Sequence, residues 1–342
     1  MNKTNSLLAG ITIVISAFLF YFLKVLSLTG AKGISYKEMI LGNVVWRLFI
    51  VMNRLIAVIG GDERYLELIR QLNMLPETTI ILVGFDNLEQ GFMGLTQMEV
   101  DELELEKLDA VVLPITGTDE KGGVETVFSD HPIQLSKQWF KQLKKTALIF
   151  TGITNDYLST VTKEANISLI PLLDRDDVAI YNSIPTAEGA IMMAIEHTDY
   201  TIHSSRVNVV GFGRVGNTVA NKFAALGAKV SVSASSIKEL ARITEMGLTA
   251  VPLADLPAYT NECDLLINTI PARVVTKDSI QNLPPHALIV DLASNPGGTD
   301  FVYAKQRGIT AILSRSLPGI VAPKTAGRIL ADVIKQSVVK GD

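Results

Sequence analysis

Three glycines in the run Arg206-Val-Asn-Val-Val-Gly-Phe-Gly-Arg-Val-Gly216 are the residues of this chain best spaced to hold a pyrophosphate. The run reads as an apolar strand, a tight turn and the start of a helix. Gly211 permits the turn, Gly213 lets the backbone approach the phosphates, and Gly216 lets the helix pack closely on the strand. Arg214 and Val215 open that helix and complete this part of the candidate site. The helix continues through Val219, Ala220, Phe223, Ala224 and Leu226 at helical spacing and stops at Gly227. A second strand, 229–233, follows at once. A lone glycine fingerprint is weak evidence, but strand–helix–strand context makes it a dinucleotide site.

The tip of that second strand selects between dinucleotides. A carboxylate there holds the ribose 2′-hydroxyl of NAD and repels a 2′-phosphate. This chain has Ser233-Ala-Ser-Ser236 instead, and its first acid is Glu239, inside the next helix. The hydroxyls of Ser233, Ser235 and Ser236, with the N–H groups of a helix start, suit a phosphate. NADP is therefore expected over NAD, with Arg242 adding charge or remaining solvated.

Ligands in open α/β sheets sit beyond the carboxyl ends of the strands. Asn268-Thr-Ile-Pro271 and Asp291-Leu-Ala-Ser-Asn-Pro-Gly-Gly298 each end a strand. Thr269, Ile270 and Pro271, with Leu292, Ala293 and Ser294, are expected to border the nicotinamide and its ribose. Ordinary turn chemistry explains the Pro and Gly equally well.

Two side chains are candidates for holding an anionic substrate, and two histidines are candidates for taking its proton. Arg175, in Asp174-Arg-Asp-Asp-Val-Ala-Ile-Tyr-Asn-Ser183, can grip a carboxylate bidentately or pair with a neighbouring Asp. Lys324 stands where the last helix starts, a position the helix dipole does not favour for a cation, unless an anion is bound there. His197 and His203 flank Thr198-Asp-Tyr-Thr-Ile202, and each is a candidate general base or a helix cap. The loop 117–123 is a candidate substrate cover, and 152–155 a source of backbone donors.

The elements that position these residues alternate between strand and helix, which implies parallel sheets covered on both faces. Strands are expected at 55–59, 79–83, 110–113, 147–150 and 168–172, with helices at 64–72, 135–143 and 157–165. A solvated acidic connector occupies 99–107. A helix over 185–197, with Pro185 near its start, forms the hinge. Beyond the second-domain strands at 265–269, 288–291 and 310–313, a final helix, 325–338, returns to the first domain. The expected fold is α/β: two Rossmann-like doubly wound domains joined by hinge helices, plus a hydrophobic N-terminal helix. The substrate domain takes 52–184 with 318–342, and the NADP domain 185–317. The first domain also carries Gly60-Gly-Asp62 after its first strand. It lacks the third glycine, and Asp62 would face any phosphate.

Composition narrows the function. A net charge of −4 without a Lys/Arg stripe argues against nucleic acid. One cysteine, Cys263, excludes an internal disulfide, and four histidines without metal-ligand spacing give no support for a metal. The first 51 residues differ. Residues 7–23 are a nearly unbroken apolar run that ends at Lys24 and resumes through Leu28, long enough to span a bilayer. Lys24, Lys32, Lys37 and Arg47 follow residue 23, which would leave the body in the cytoplasm. Met52 stands directly before the first globular strand, so the extension reads either as a membrane anchor or as a misplaced start.

Several runs are longer than motif spacing requires. They are Ile59-Gly-Gly-Asp62 with Glu63-Arg64, the stretches 175–186 and 197–203, and Ala241-Arg-Ile-Thr-Glu-Met-Gly247. Asp291-Leu-Ala-Ser294, Pro296-Gly-Gly-Thr-Asp-Phe301 and Leu317-Pro-Gly-Ile-Val-Ala-Pro-Lys-Thr-Ala-Gly327 extend the set. Together they resemble the A subunits of bacterial dipicolinate synthases over 55–334. The resemblance implies oxidation of dihydrodipicolinate to pyridine-2,6-dicarboxylate, with a hydride passed to NADP, in the sporulating mother cell. It implies a flavoprotein-like B subunit for a partner, and places the family's cofactor glycines on Gly211, Gly213 and Gly216. The family often has Arg where Ser235 stands, and the N-terminal extension is not part of its pattern. Arg64 joins Arg175 and Lys324 as a candidate clamp, a water or His197 would take the ring proton, and a homo-oligomer is expected. The alternatives are an NADP-dependent 2-hydroxy or 2-amino acid dehydrogenase and a non-catalytic nucleotide-sensing subunit.

Overall fold

The computed structural model describes residues 53–340 apart from 89–91, 295 and 315. The expected N-terminal helix, residues 7–28, lies outside them. Asn53–Asp342 forms one compact unit. Among the described residues, no helix is long and apolar enough to cross a membrane.

The first lobe is a six-stranded parallel sheet ordered β3-β2-β1-β4-β7-β8. Its strands are β1 (Arg54–Ile59), β2 (Thr78–Val83), β3 (Thr96–Gln97), β4 (Ala110–Val112), β7 (Leu148–Thr151) and β8 (Ser168–Pro171). Between β4 and β7 lies the hairpin β5 (Gly123–Val124) and β6 (Ile133–Gln134). Helices α1 (Glu63–Leu72), α2 (Lys137–Gln142) and α3 (Asp156–Ala165) cover the sheet. Central strands are apolar on both faces because each face is covered: Ile56, Ala57, Val58 and Ile59 are all fully buried. Residues 99–107, expected to be solvated, instead make two 3₁₀ turns and bury Leu103 and Leu105 against the core.

Helix α4 (Asp176–Glu196) leads into the second lobe. Its start is a correction, since the helix begins nine residues before Pro185 and keeps that proline inside. Asp176 and Asp177 suit a first turn, and Val178 is buried in the first-lobe core. These gains offset the backbone donor lost at Pro185.

The second sheet has the same order, β11-β10-β9-β12-β13-β14. Its strands are β9 (Arg206–Val210), β10 (Lys229–Ala234), β11 (Thr249–Pro252), β12 (Leu265–Asn268), β13 (Leu288–Asp291) and β14 (Thr310–Leu313). The connecting helices are α5 (Arg214–Ala225), α6 (Ile237–Glu245), α7 (Leu256–Tyr259), α8 (Lys277–Ile280) and α9 (Phe301–Gln306). Val209 sits level with Val232 on one side and Ile267 on the other. In both sheets the order reverses beside the first strand, which makes the crevice at its carboxyl end the expected ligand position.

Two returning helices close the unit: α10 (Leu317–Val321) and α11 (Pro323–Lys340). Helix α11 packs on α1, where a Cβ at Gly327 would lie 2.1 Å from the Arg64 carbonyl oxygen, and Lys335 donates to Gln71 at 2.8 Å. Arg328 of α11 also reaches Glu67 at 3.7 Å. Helix α4 packs on α5 through a 2.7 Å Ser183–Thr218 hydroxyl pair and on α10 through Gly189, where a Cβ would meet Leu317 at 2.8 Å.

Candidate functional site

The glycine turn between β9 and α5 is built as its spacing requires. Gly211 has φ +102°, and its N–H bonds the Ser233 carbonyl at 2.8 Å. A Cβ at Gly211 would meet the Thr269 hydroxyl at 2.5 Å, and one at Gly216 would lie 2.1 Å from the Gly211 carbonyl oxygen. Gly213 differs from both. Its backbone suits any residue (φ −73°, ψ −163°), and a Cβ there would meet nothing within 4 Å. The glycine therefore leaves room for something outside the chain. Helix α5 starts there with no side-chain cap, so among the described residues the first-turn N–H groups of Arg214, Val215 and Gly216 remain available. An open cradle with uncapped donors fits a dinucleotide pyrophosphate.

The neighbouring strand ends are fixed by two buried polar residues to which motif spacing gives no role. Asn268, at the end of β12, donates to Asp291 at 2.9 Å and accepts from the Ile270 N–H at 3.1 Å. Asp291, fully buried at the end of β13, also accepts from Ala293 N–H (3.0 Å), Gly298 N–H (2.8 Å) and the Thr299 hydroxyl (2.6 Å). This carboxylate shapes the turn that holds Leu292, Ala293 and Ser294. Thr269 bonds the Val210 carbonyl through both its N–H and its hydroxyl, each at 2.9 Å, beside Gly211. Thr269, Ile270 and Gly211 are thus brought together, while Pro271 and Ser294 are exposed at the rim. A polar residue ending an apolar strand is the available signal for both Asn268 and Asp291.

At the tip of β10 the serines separate. Ser233 is a correction: it is fully buried and donates to Asn208 at 3.1 Å, because alternation along the strand turns it inward. Ser235 and Ser236 are exposed, and Ser236 begins α6 without a side-chain cap bond. Beside them lies a groove of about 510 Å³ lined by Phe212, Ser236, Lys238, Glu239, Arg242 and Glu245. Arg242 is paired with Glu245 there at 2.8 Å.

The substrate candidates are scattered. Arg175 ends the first lobe but is held bidentately by Asp177, at 3.0 and 2.8 Å, and this bonding raises its pKa. The expected free clamp is thus corrected to an Arg–Asp pair, with Asp177 supplied by the first turn of α4. Next to it, Arg214 reaches Asp176 at 2.9 Å, tying the start of α5 to the start of α4. Arg64 is buried and paired with Asp62, and its guanidinium passes under Gly319, where a Cβ would lie 3.0 Å from Nε. Lys324 is exposed and has no ion pair among the described residues.

His197 is also corrected. It caps the C-terminus of α4, with Nδ1 3.0 Å from the Met193 carbonyl. A helix of 21 residues is ~30 Å long, so His197 lies far from the glycine turn at the other end. Among the described residues, the His–carboxylate pair at hydrogen-bond distance is His286–Asp264, 2.9 Å. Both precede their strands, on the edge opposite the cofactor cradle. The expected cover, 117–123, is a tied turn in which Asp119 accepts from the Lys121 and Gly123 N–H groups, each at 2.7 Å. In 152–155 the Ile153 N–H is taken by the Ile115 carbonyl at 2.8 Å, so it is no donor for a substrate.

The first lobe's own glycine turn is filled by the chain. Gly61 N–H donates to the Glu125 carbonyl (3.1 Å), Val127 N–H donates back to Gly61 (3.0 Å), and a Cβ at Gly60 would lie 2.6 Å from Glu125 O. Asp62 itself caps α1 by accepting from the Arg64 N–H.

Fold and cradle together define a two-lobed NAD(P)-dependent dehydrogenase-type enzyme whose second lobe carries the dinucleotide site. A family model described as "D-isomer specific 2-hydroxyacid dehydrogenase, NAD binding domain" matches residues 186–295. The model for the N-terminal domain of the dipicolinate synthase A subunit matches 55–173. The dipicolinate synthase A subunit of Bacillus subtilis is 50% identical over 82% of this chain and 94% of its own. The chain belongs to the family of dipicolinate synthase A subunits. The crystal structure of the A subunit from Bacillus halodurans is similar at 51% identity and a TM-score of 0.81, over 84% of this chain and 98% of its own. That of the Bacillus subtilis protein is similar at 48% and 0.80, over 84% and 96%. An L-alanine dehydrogenase, 16% identical with a TM-score of 0.54, shares the fold alone.

Proposed function

We propose that this chain oxidises dihydrodipicolinate to pyridine-2,6-dicarboxylate, with NADP as hydride acceptor. The open backbone at Gly213, in a chain of this family, carries the reading. Substrate and NADP⁺ yield product, NADPH and one proton. Bound NADP supplies the carbon that accepts the hydride. The protein must then orient the substrate, because forming the aromatic ring is strongly downhill and needs little acid–base help.

Gly211, Gly213 and the first turn of α5 hold the pyrophosphate. Thr269, Ile270, Pro271 and the 292–294 turn border the nicotinamide. Ser235, Ser236 and the uncapped start of α6 take the 2′-phosphate, which supports NADP over NAD, and Ile237 offers an apolar surface to the adenine. Lys324 holds one substrate carboxylate, and Arg175 joins it only by leaving Asp177. Water takes the ring proton, since His197 is remote.

The partner is a flavoprotein-like B subunit, and the enzyme works in the cytoplasm of the sporulating mother cell. A chain translated from Met1 is membrane-anchored there through residues 7–28. The test follows NADP reduction at 340 nm with dihydrodipicolinate generated in situ, with and without the B subunit, and repeats it with NAD. Turnover confined to this substrate supports the proposal. Tight cofactor binding with no turnover, even with the partner, refutes it in favour of another substrate or a nucleotide sensor.

A further inference from the structure

Helix α4 is apolar on two faces, and the fold covers one of them. Val178, Ala187, Ala190 and Ala194 are buried. On the other face, Ile180, Tyr181, Ile184, Met192 and Ile195 are exposed by 52, 59, 41, 37 and 64%. A helix apolar nearly all round is normally buried. These five side chains expose on the order of 500 Å², near the upper end for a patch on a lone molecule. Glu188, at the centre, is the one charge in the stripe, and it has no ion pair among the described residues.

The spacing identifies the occupant. Counted from Glu188, Tyr181 and Ile184 stand seven and four residues before it, and Met192 and Ile195 four and seven after. A two-fold axis at Glu188 would lay Ile184 on Met192 of a second copy and Tyr181 on its Ile195. Self-complementarity of this kind is what a two-fold contact requires. Near-antiparallel packing would keep two such helices, each ~30 Å long, in contact along their length. With flanking residues the buried area approaches the ~800 Å² per partner of a standard interface.

We propose that the exposed face of α4 is a two-fold interface between copies of this chain. This interface is independent of the substrate. The symmetry has one cost, because two Glu188 carboxylates meet at the axis. That cost separates a second copy from a different partner. Removing the charge tightens self-association, whereas a partner presenting a cation to Glu188 would bind the uncharged variant more weakly.

The experiment is sedimentation velocity over a concentration series. It uses residues 53–342 and the full chain in detergent, with far-UV circular dichroism and NADPH binding as checks of folding. A dimer is expected, loosened ~100-fold by Ile184→Asp and tightened several-fold by Glu188→Gln. A monomer at tens of micromolar, or a dimer indifferent to Ile184→Asp, overturns the proposal. So does a dimer that Glu188→Gln weakens. A full chain that stays monomeric while 53–342 dimerises assigns the stripe to residues 1–52, and also overturns it. Loss of NADPH binding in unmodified protein would count against the functional reading and leave this result untouched.

Discussion

Gly213→Ala separates the stability of the second lobe from its grip on the cofactor. Its backbone angles suit alanine, and the added methyl meets nothing within 4 Å. Replacing glycine by alanine at a helix N-cap changes stability by about 1 kcal/mol or less. The space that the methyl would fill is where the pyrophosphate must approach. Overpacking of one methyl costs ~1–3 kcal/mol, which is roughly 5- to 150-fold in Kd. Gly216→Ala is the contrasting control, because its methyl would lie 2.1 Å from a carbonyl oxygen that cannot rotate away. The helix must move, so stability and binding both fall. NADPH titration by fluorescence, with thermal melting of the same samples, reads both quantities. A Gly213→Ala protein that binds NADPH as tightly as the parent, or melts as early as Gly216→Ala, would refute this account of the cradle.

Ser235→Asp should lower the NADP-to-NAD preference at least about tenfold by placing a carboxylate where the 2′-phosphate would sit; unchanged kcat/KM ratios would remove Ser235 from that site. Lys324→Ala should raise KM for the substrate about tenfold or more with little change in melting temperature, whereas Arg175→Ala should change KM less, because Asp177 already holds that guanidinium; steady-state kinetics would expose the reverse order. The Glu67 carboxyl is held below the usual range by its hydrogen bond from Gln71, then by Arg70 and Arg328, against the opposing effect of burial. A lowered folded-state pKa contributes stability that is present above about pH 4.5 and lost as pH falls through the folded value. Acid melting curves should therefore flatten in Glu67→Gln, and parallel curves would show that the α1–α11 seam does not use this charge.

Much of the geometry of the glycine cradle is legible in the sequence because it is local. Gly211, Gly213 and Gly216 lie within six residues, and each strand leading to the crevice is an apolar run. Ser233 reads as a ligand by composition, but strand alternation decides which way a serine points, and it points inward. Asp174–Asp177 reads as a charged cleft wall, yet it is a helix start. A hinge helix beginning at 176 carries His197, just past its last residue, to the far end of the lobe. Arg175 admits two readings, and the structure holds the one in which a neighbouring Asp neutralises it. The exposed stripe on α4 escapes notice for the same reason as the helix start, since a helix beginning at Pro185 contains only half of it.

The two lobes share a strand order and a glycine-bearing first turn, yet only the second leaves its turn open. The difference is a contact between residues more than 60 apart in sequence, which no local pattern reveals. Residues 125–127 cross the end of β1 and use the hydrogen-bonding groups of Gly61. Gly60 is needed there so that the chain's own carbonyl can come close. Asp62 then caps α1, using a donor that a phosphate would otherwise take. At Gly213 neither event occurs among the described residues: a Cβ there would meet nothing within 4 Å, and the N-cap position has no side chain to take the helix's donors. A glycine turn binds a nucleotide when its backbone donors are left free, and the first lobe has already used its own.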